Sequence, residues 1–369
     1  MVRSIPRKTI TPLQLYMLST QFLFTTIIGF YLGTLAGKAG FAAWLSIVLG
    51  ATGGILLIYF SYALAIRRPD RFLGQYGHSI LGNWLHIPIM IFIVFSYLFS
   101  ASFVMRQLQD FVSDVYLPDT PEWAIVAVFS LCVAYAVRSG AETIFRAAQG
   151  FFFISILGVL TIPLFVGNAL SFEMAIALIN HFDPKGIGSG TYFAATLYGQ
   201  LNLILFLIPY LAQPRKSMKS INWGVATSVI IVIANLIPMM LIFGPQLSAN
   251  LPYPALELIS YVRIGSFLEN LDPVLIAVWL SSLFIKISLF LFVSVNSLTH
   301  IFALHDHKPF SFTMTATMTV LCLFMAKTSP QLSELLDHGG MTLLLVIEVI
   351  PILYLIVDKL RFGRLNDEK

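Results

Sequence analysis

The sequence predicts an all-α polytopic membrane protein of ten transmembrane helices, and three observations carry that prediction. Of 369 residues, 57% are hydrophobic and 11% are charged, with a mean hydropathy of +0.84. Soluble domains carry roughly 25% charged residues; with so few, polar side chains cannot cover a core and lipid must do so. Long apolar runs recur along the whole chain, each near the ~20 residues that cross a bilayer as a helix. Basic residues alternate between the connections as the positive-inside rule demands.

Lipid leaves no unpaired backbone group satisfied, so the apolar runs are read as helices. Spans are expected near 11–36, 41–66, 84–112, 121–137, 144–168, 191–212, 220–245, 272–303, 310–327 and 339–358. Residues 1–369 form a single transmembrane domain, because no hydrophilic stretch is long enough for a second one. Arg3, Arg7 and Lys8 precede the first run, which lacks a small-residue cleavage site; an uncleaved first helix is expected. With the N-terminus cytoplasmic, sixteen basic residues fall inside: Arg3, Arg7, Lys8, Arg67, Arg68, Arg71, Arg138, Arg146, Arg215, Lys216, Lys219, Lys308, Lys359, Arg361, Arg364 and Lys369. Only Lys38, Lys185, Arg263 and Lys327 fall outside, while Arg106 and Lys286 lie within spans. One span added or dropped would scramble this bias, so both termini are placed on the cytoplasmic side. Two outer connections are long, 168–190 and 245–271, and the second holds an amphipathic segment, Pro254 to Arg263, expected to lie as a short helix on the outer face.

Several function classes are excluded. The net charge of +4 sits at span ends, which is topology and not a nucleic-acid patch. Cys132 and Cys322 lie in apolar segments and form neither a disulfide framework nor a metal site. No phosphate loop, dinucleotide fingerprint or nucleophile elbow occurs, so neither enzyme activity nor a cofactor is expected. His305 and His307 flank Asp306 in an inner loop, where a solvated loop is the better reading than a metal site.

Polar residues at membrane depth are the informative ones, because each is costly unless paired or wet. Lys286 lies mid-way along the eighth span, with Ser282 one turn before it on the same face and Ser281 adjacent. It is either a structural ammonium bonding carbonyls of a neighbouring broken helix or a stand-in for a coupling cation. Glu348 lies mid-way along the tenth span and either pairs with Lys286 or lines an outer vestibule. Arg106 and Asp110, four apart near the outer end of span three, read as an ion pair at the interface. The first span holds Thr25, Thr26, Ile27 and Gly29; the sixth holds Tyr198, Gly199, Gln200 and Asn202. Both groups weaken their helix at mid-membrane. They correspond if the chain is two five-helix halves, and paired interruptions of that kind point to a transporter-type binding site. Ordinary small-residue packing between helices is the alternative. These eight residues are the candidate ligand-binding set.

The chain also resembles a known family. The resemblance starts at Ile10-Thr-Pro-Leu-Gln-Leu and runs through Ala39-Gly-Phe-Ala-Ala-Trp44-Leu, Arg106-Gln-Leu-Gln-Asp110-Phe, Leu117-Pro-Asp-Thr-Pro121 and Ala134-Tyr-Ala-Val-Arg-Ser-Gly140-Ala-Glu142. It resumes at Leu205-Phe-Leu-Ile-Pro209-Tyr-Leu, Tyr253-Pro-Ala-Leu-Glu257, Arg263-Ile-Gly-Ser-Phe-Leu-Glu269-Asn-Leu-Asp272 and Phe284-Ile-Lys286-Ile-Ser288-Leu-Phe. In order and spacing these segments resemble the B-subunit family of bacterial spore germinant receptors, the GerAB-like branch of the amino acid–polyamine–organocation superfamily. Two positions depart from the family pattern: Thr25-Thr26 stands where a glycine-rich break is usual, and Asn270 where an Arg is usual. The resemblance implies a LeuT-type fold, a five-plus-five inverted repeat with broken first and sixth helices and a small ligand, such as an amino acid, held between them. It implies germinant receptor A and C subunits as partners, the C subunit a lipoprotein, in the spore inner membrane. Lys286, with Ser281 and Ser282, would then replace the sodium of sodium-coupled relatives. A free-standing secondary amino acid transporter is the competing expectation.

Overall fold

A computed structural model describes residues 9–166, 172–261, 272–304 and 306–362. Helix α1 (Pro12–Thr26) starts at a capping box: Thr11 accepts from the Gln14 amide, Gln14 accepts from the Thr11 amide at 2.9 Å, and Pro12 occupies the first turn. A π-helical turn, Ile27–Tyr31, separates α1 from α2 (Leu32–Ala39). Pro12–Ala65 is apolar for 54 residues. A straight helix of that length would reach about 80 Å, far more than the ~30 Å of hydrocarbon. Gly40, at φ +56°, ends α2 and turns the chain into α3 (Ala43–Ala65).

The short α4 (Leu73–Leu81) leads into α5 (Asn83–Val115), then α6 (Glu122–Ser139) and α7 (Ala141–Val166). The stub α8 (Ala177–Asn180) precedes α9 (Pro184–Gly199). The sixth span therefore starts seven residues before the expected position 191, because Asp183 accepts from the Lys185 and Gly186 amides, both at 3.0 Å, and Pro184 fixes the first turn. A 3-10 stretch, Gln200–Leu203, breaks the span before α10 (Ile204–Leu207). The remaining elements are α11 (Ser217–Asn250), α12 (Pro254–Tyr261), α13 (Asp272–Ile301), α14 (Lys308–Phe324), α15 (Ser329–Leu335) and α16 (Met341–Phe362). The chain bends by 109° between α14 and α15, and a second π turn, Leu336–Gly340, joins α15 to α16. Among the described residues, eight helices are long and apolar enough to cross a membrane, and the bent α14–α15 pair makes a ninth. Dividing the first at Gly40, every expected span falls on a helix. A short helix, α12, forms within the expected segment 254–263; Arg263 lies outside the described residues.

Numbering the spans in chain order exposes the architecture. The first (α1–α2) packs on the seventh (α11), and the second (α3) on the sixth (α9). The third (α5) packs on the eighth (α13), and the fourth (α6) on the ninth (α14). The fifth (α7) packs on the first and the tenth (α16) on the sixth. Adding five to each number converts every pair into another pair of the same set, as a five-plus-five repeat requires. The α3–α9 contact is the tightest. Gly50 and Gly54, one turn apart on α3, meet Ala194 and Tyr198 of α9; a Cβ on Gly54 would lie 2.6 Å from the Tyr198 Cβ. Small residues four apart let two membrane helices approach this closely.

Polar clamps tie the ends. At the α4 end, Arg67 and Arg68 grip the buried Asp358 of α16 at 2.6 and 2.8 Å. At the opposite end the expected Arg106–Asp110 ion pair forms, but packed inside the protein. Both side chains are buried, with Nε–Oδ1 at 2.8 Å, and Arg106 also donates to the Ala326 carbonyl at 2.8 Å in the bend between α14 and α15. The pair pins that bend. His307 also departs from the solvated loop expected: its Nε2 lies 3.1 Å from the Val137 carbonyl, and burial holds its imidazole below the ordinary range. Breaking a buried ion pair costs about 3–5 kcal/mol, and an exposed pair under about 1. Arg106→Gln should therefore lower the thermal unfolding midpoint of purified protein strongly. Lys38→Gln, which breaks the exposed Lys38–Asp337 pair, should barely move it. Equal shifts would contradict the assigned role of Arg106.

Candidate functional site

The interruptions of α1 and α9 face one partly open cavity with about 20 Å3 of free internal space, near the room a single water needs. Thr26 and Tyr31 bound the π turn, Gln200 begins the 3-10 stretch, and Lys286 and Phe290 come from α13. Phe99, Ser100, Phe103 and Val104 of α5 form one wall; Leu336, Gly340 and Leu344, around the second π turn, form the cover. The lining is largely apolar and aromatic with a few convergent polar groups, the usual make-up of a small-molecule site.

Lys286 is the charged member. It is 2% exposed, and its Nζ donates to Thr26 Oγ1 at 2.8 Å. The ammonium also sits 4.5 Å from the Phe22 ring centroid and 5.8 Å from that of Phe290. Phe22 and Thr26 are one turn apart on α1, so one helix face supplies both the ring and the hydroxyl. The bond runs to a hydroxyl and not to the helix-1 carbonyls that the sequence reading considered. An ammonium has three donors, so Lys286 retains hydrogen-bonding capacity in the wall of the cavity. Opposite, Gln200 is 8% exposed and its Oε1 has no partner among the described residues. Gln107 Nε2 donates to the Tyr31 hydroxyl at 3.1 Å, which orients that ring.

Of the candidate residues, Thr26, Gln200 and Lys286 line the cavity. The others surround it. Thr25 donates back to the Gln21 carbonyl at 2.6 Å, so its hydroxyl is used within its own helix, and the interruption falls just beyond it, at Ile27–Tyr31. Ile27 is buried in the core, and Gly29 lies against the Trp279 indole. Tyr198 is fully buried against Gly54. Asn202 accepts from Tyr97 Oη at 3.0 Å and donates to the Ile347 carbonyl at 3.1 Å, tying the broken helix to α5 and α16. Ser282 shares a 3.1 Å hydrogen bond with Ser155 of α7, and neither Ser282 nor Ser281 is part of the lining. Gly199 touches Glu348: a Cβ there would collide with the carboxyl group. Glu348 does not pair with Lys286; neither forms an ion pair among the described residues. The sequence reading missed the α5 wall and the cover, although Gly339-Gly340 was a readable break in the tenth span.

These features define a polytopic α-helical membrane protein with a central site at two interrupted helices. Among solved structures the chain is similar to MhsT in complex with L-phenylalanine, with a TM-score of 0.71 at 12% identity, covering 94% of this chain and 89% of that one. It is also similar to Mhp1, a nucleobase-cation-symport-1 family transporter in a closed conformation with bound bromovinylhydantoin, at TM-score 0.65 and 12% identity, covering 93% and 80%. The LeuT-type fold is thus the fold found. The sequence model of the family described as spore germination protein matches residues 9–331, and the chain belongs to that family. Spore germination protein KB of Bacillus subtilis is 25% identical over 334 residues, 87% of this chain and 88% of that protein. Spore germination protein XB of Bacillus anthracis is 24% identical over 262 residues, 70% and 72% of the two chains.

The Gly199 contact is open to a steric test. Overpacking a filled site costs about 1–3 kcal/mol. Gly199→Ala should lower the unfolding midpoint, and adding Glu348→Ala should restore most of the loss. A Gly199→Ala protein as stable as the unmodified chain would show that the contact is loose.

Proposed function

We propose that the chain is the transmembrane B subunit of a nutrient germinant receptor in bacterial spores, acting by binding and not by catalysis. The observation that carries this reading is the cavity at the two interrupted helices of a spore germination family member. Its aromatic walls, one ammonium and one amide acceptor without a partner among the described residues suit a small amphipathic nutrient of the amino acid class, for which the walls must move apart. In this reading the ligand binds more tightly to one of two arrangements of the bundle, and that difference is the signal passed to A and C subunits in the spore inner membrane. Lys286 supplies the fixed positive charge that sodium supplies in sodium-coupled proteins of this fold, with Ser281 and Ser282 beside it on α13.

Spores carrying Gln200→Ala or Lys286→Met, with normal levels of the protein, should lose sensitivity to their germinant by an order of magnitude or more, which the germinant dose-response measures. An unchanged dose-response would place the ligand elsewhere. Replacing sodium by an organic cation should leave the response of unmodified spores intact; a strict sodium requirement would sink the assignment of Lys286. The similarity to MhsT favours one competing reading, a free-standing amino acid transporter. Amino acid uptake by the chain alone in liposomes would establish it, whereas co-purification with A and C subunits and loss of germination on deletion support the receptor.

The topology belongs to the same proposal. Gly186 and Ser217 are buried, so the exposed neighbours Lys185 and Lys216 serve as probes. With the exposed Cys132 replaced by Ser, cysteines at Asp119 and Lys185 should react with an impermeant thiol reagent from outside. Those at Asp70 and Lys216 should react only after the membrane is opened. Reaction of position 185 from the cytoplasmic side alone would break the ten-span arrangement.

A further inference from the structure

Glu348 sits directly behind the interruption of α9, where no role has been assigned to it. It lies one turn beyond Leu344 on α16, so its side chain points to the same side as the cavity cover but one layer deeper. The residue is 1% exposed, and neither carboxyl oxygen has a hydrogen-bond partner among the described residues. The carboxyl group rests against Gly199, the last residue of α9 before the 3-10 stretch, and the next residue, Gln200, lines the cavity. The Asn202 bond to the Ile347 carbonyl holds this stretch of α16 against the same break.

Among the described residues no cation pairs with Glu348. Tyr97 of α5 is close enough to interact electrostatically with Glu348, but its hydroxyl donates to Asn202. Helix α3 contains no Asp, Glu, Lys, Arg or His, and on α9 the one charged residue, Lys185, stands at the far end. On α4, Tyr76 lies with Arg68, while His78 lies near His86, which bonds Tyr354, nearer the other end of α16. On α5, Arg106 is held by Asp110 near the far end, and Lys286 of α13 is bonded to Thr26. An ionised carboxylate removed from water with no donor and no cation costs many kcal/mol, and such a group binds a proton instead. A metal ion would need several oxygen ligands around it, and Gly199 closes one side of the carboxyl.

We propose that Glu348 is a proton-binding site coupled to the break in α9. In the packed arrangement the carboxyl holds its proton against Gly199. When the break opens, water reaches the group, the proton passes to water, and the carboxylate stays hydrated. The sign follows: protonation stabilises the packed arrangement, and that stabilisation fades as pH rises. One proton changes the balance by at most about tenfold per pH unit.

Both tests use the purified full-length chain in lipid nanodiscs without germinant, so their outcome is independent of the proposed receptor function. The infrared spectrum at neutral pH should contain a protonated-carboxyl C=O band that Glu348→Gln removes and Glu348→Asp retains at a shifted position. Absence of a difference between the unmodified chain and Glu348→Gln would show an ionised Glu348 and overturn the proposal. Coupling is read from a cysteine at Gln200 in a Cys132→Ser background, labelled with a water-soluble thiol reagent with and without Glu348→Gln. Thiolate chemistry is common to both proteins and cancels in the ratio of their labelling rates. That ratio should rise severalfold as pH rises, because only the chain with Glu348 loosens the break. A ratio independent of pH would mean that the break does not respond to the proton, and would equally overturn it.

Discussion

A helix interrupted halfway across a bilayer survives only where protein, not lipid, surrounds the interruption. Much of this molecule can be read from that constraint. In the most apolar 18-residue windows, 83% of residues are buried in Pro184–Tyr210 and 89% in Trp279–Ile301, against 33% in Ala141–Thr161, so the broken span and its charged neighbour stand on the inside of the bundle. The bundle must be thick where the breaks are. That explains why α3, with Gly50 and Gly54, comes so close to α9, and why α11 lies along α1. A looser wall would let hydrocarbon reach the unpaired backbone groups.

The same constraint sets the polar chemistry. Each buried charge at an end of the bundle is held by an opposite charge: Asp358 between two arginines, and Arg106 against Asp110. The two mid-membrane ionisable groups, Lys286 and Glu348, are treated differently. Lys286 has a hydroxyl and two ring faces, an arrangement that solvates an ammonium without neutralising it. Glu348 has a glycine backbone and, among the described residues, no donor. One site keeps a charge near the cavity and the other avoids one just below it.

The helices were legible because the membrane imposes a length and a charge bias that the chain must satisfy in one dimension. The interruptions were legible to within a turn: Thr25 and Thr26 pointed to the right region, but a threonine in a helix can bond the preceding turn, and Thr25 does. The real break follows one residue later and takes the form of a π turn, which no residue type demands. The cavity walls were less legible. Phe99, Phe103 and Val104 look like any other apolar residues of a span, and which face of α5 lines the cavity depends on how α5 crosses α13. The direction of Glu348 was equally hidden, because a span does not reveal its rotation. Its contact depends on Gly199, a residue whose importance lies in the side chain it lacks.

The crossed packing of the halves also governs how the molecule is made. Helix α3 ends at Ala65 and its partner α9 ends at Gly199, while α1 waits for α11, which ends at Asn250. At about 5–20 residues per second of synthesis, α3 enters the bilayer roughly seven to thirty seconds before the surface it fits is complete. Ile10, bonded to Tyr210 and Ala212, has a similar wait. During that interval Lys286 has not been made, and Thr26 and the nascent π turn stand without it. The ribosome therefore delivers an unfinished first half whose polar seam must be sheltered by the insertion machinery or by transient self-association. A chain terminated after the fifth span would be an orphan with its polar seam open to lipid, a ready substrate for membrane quality control.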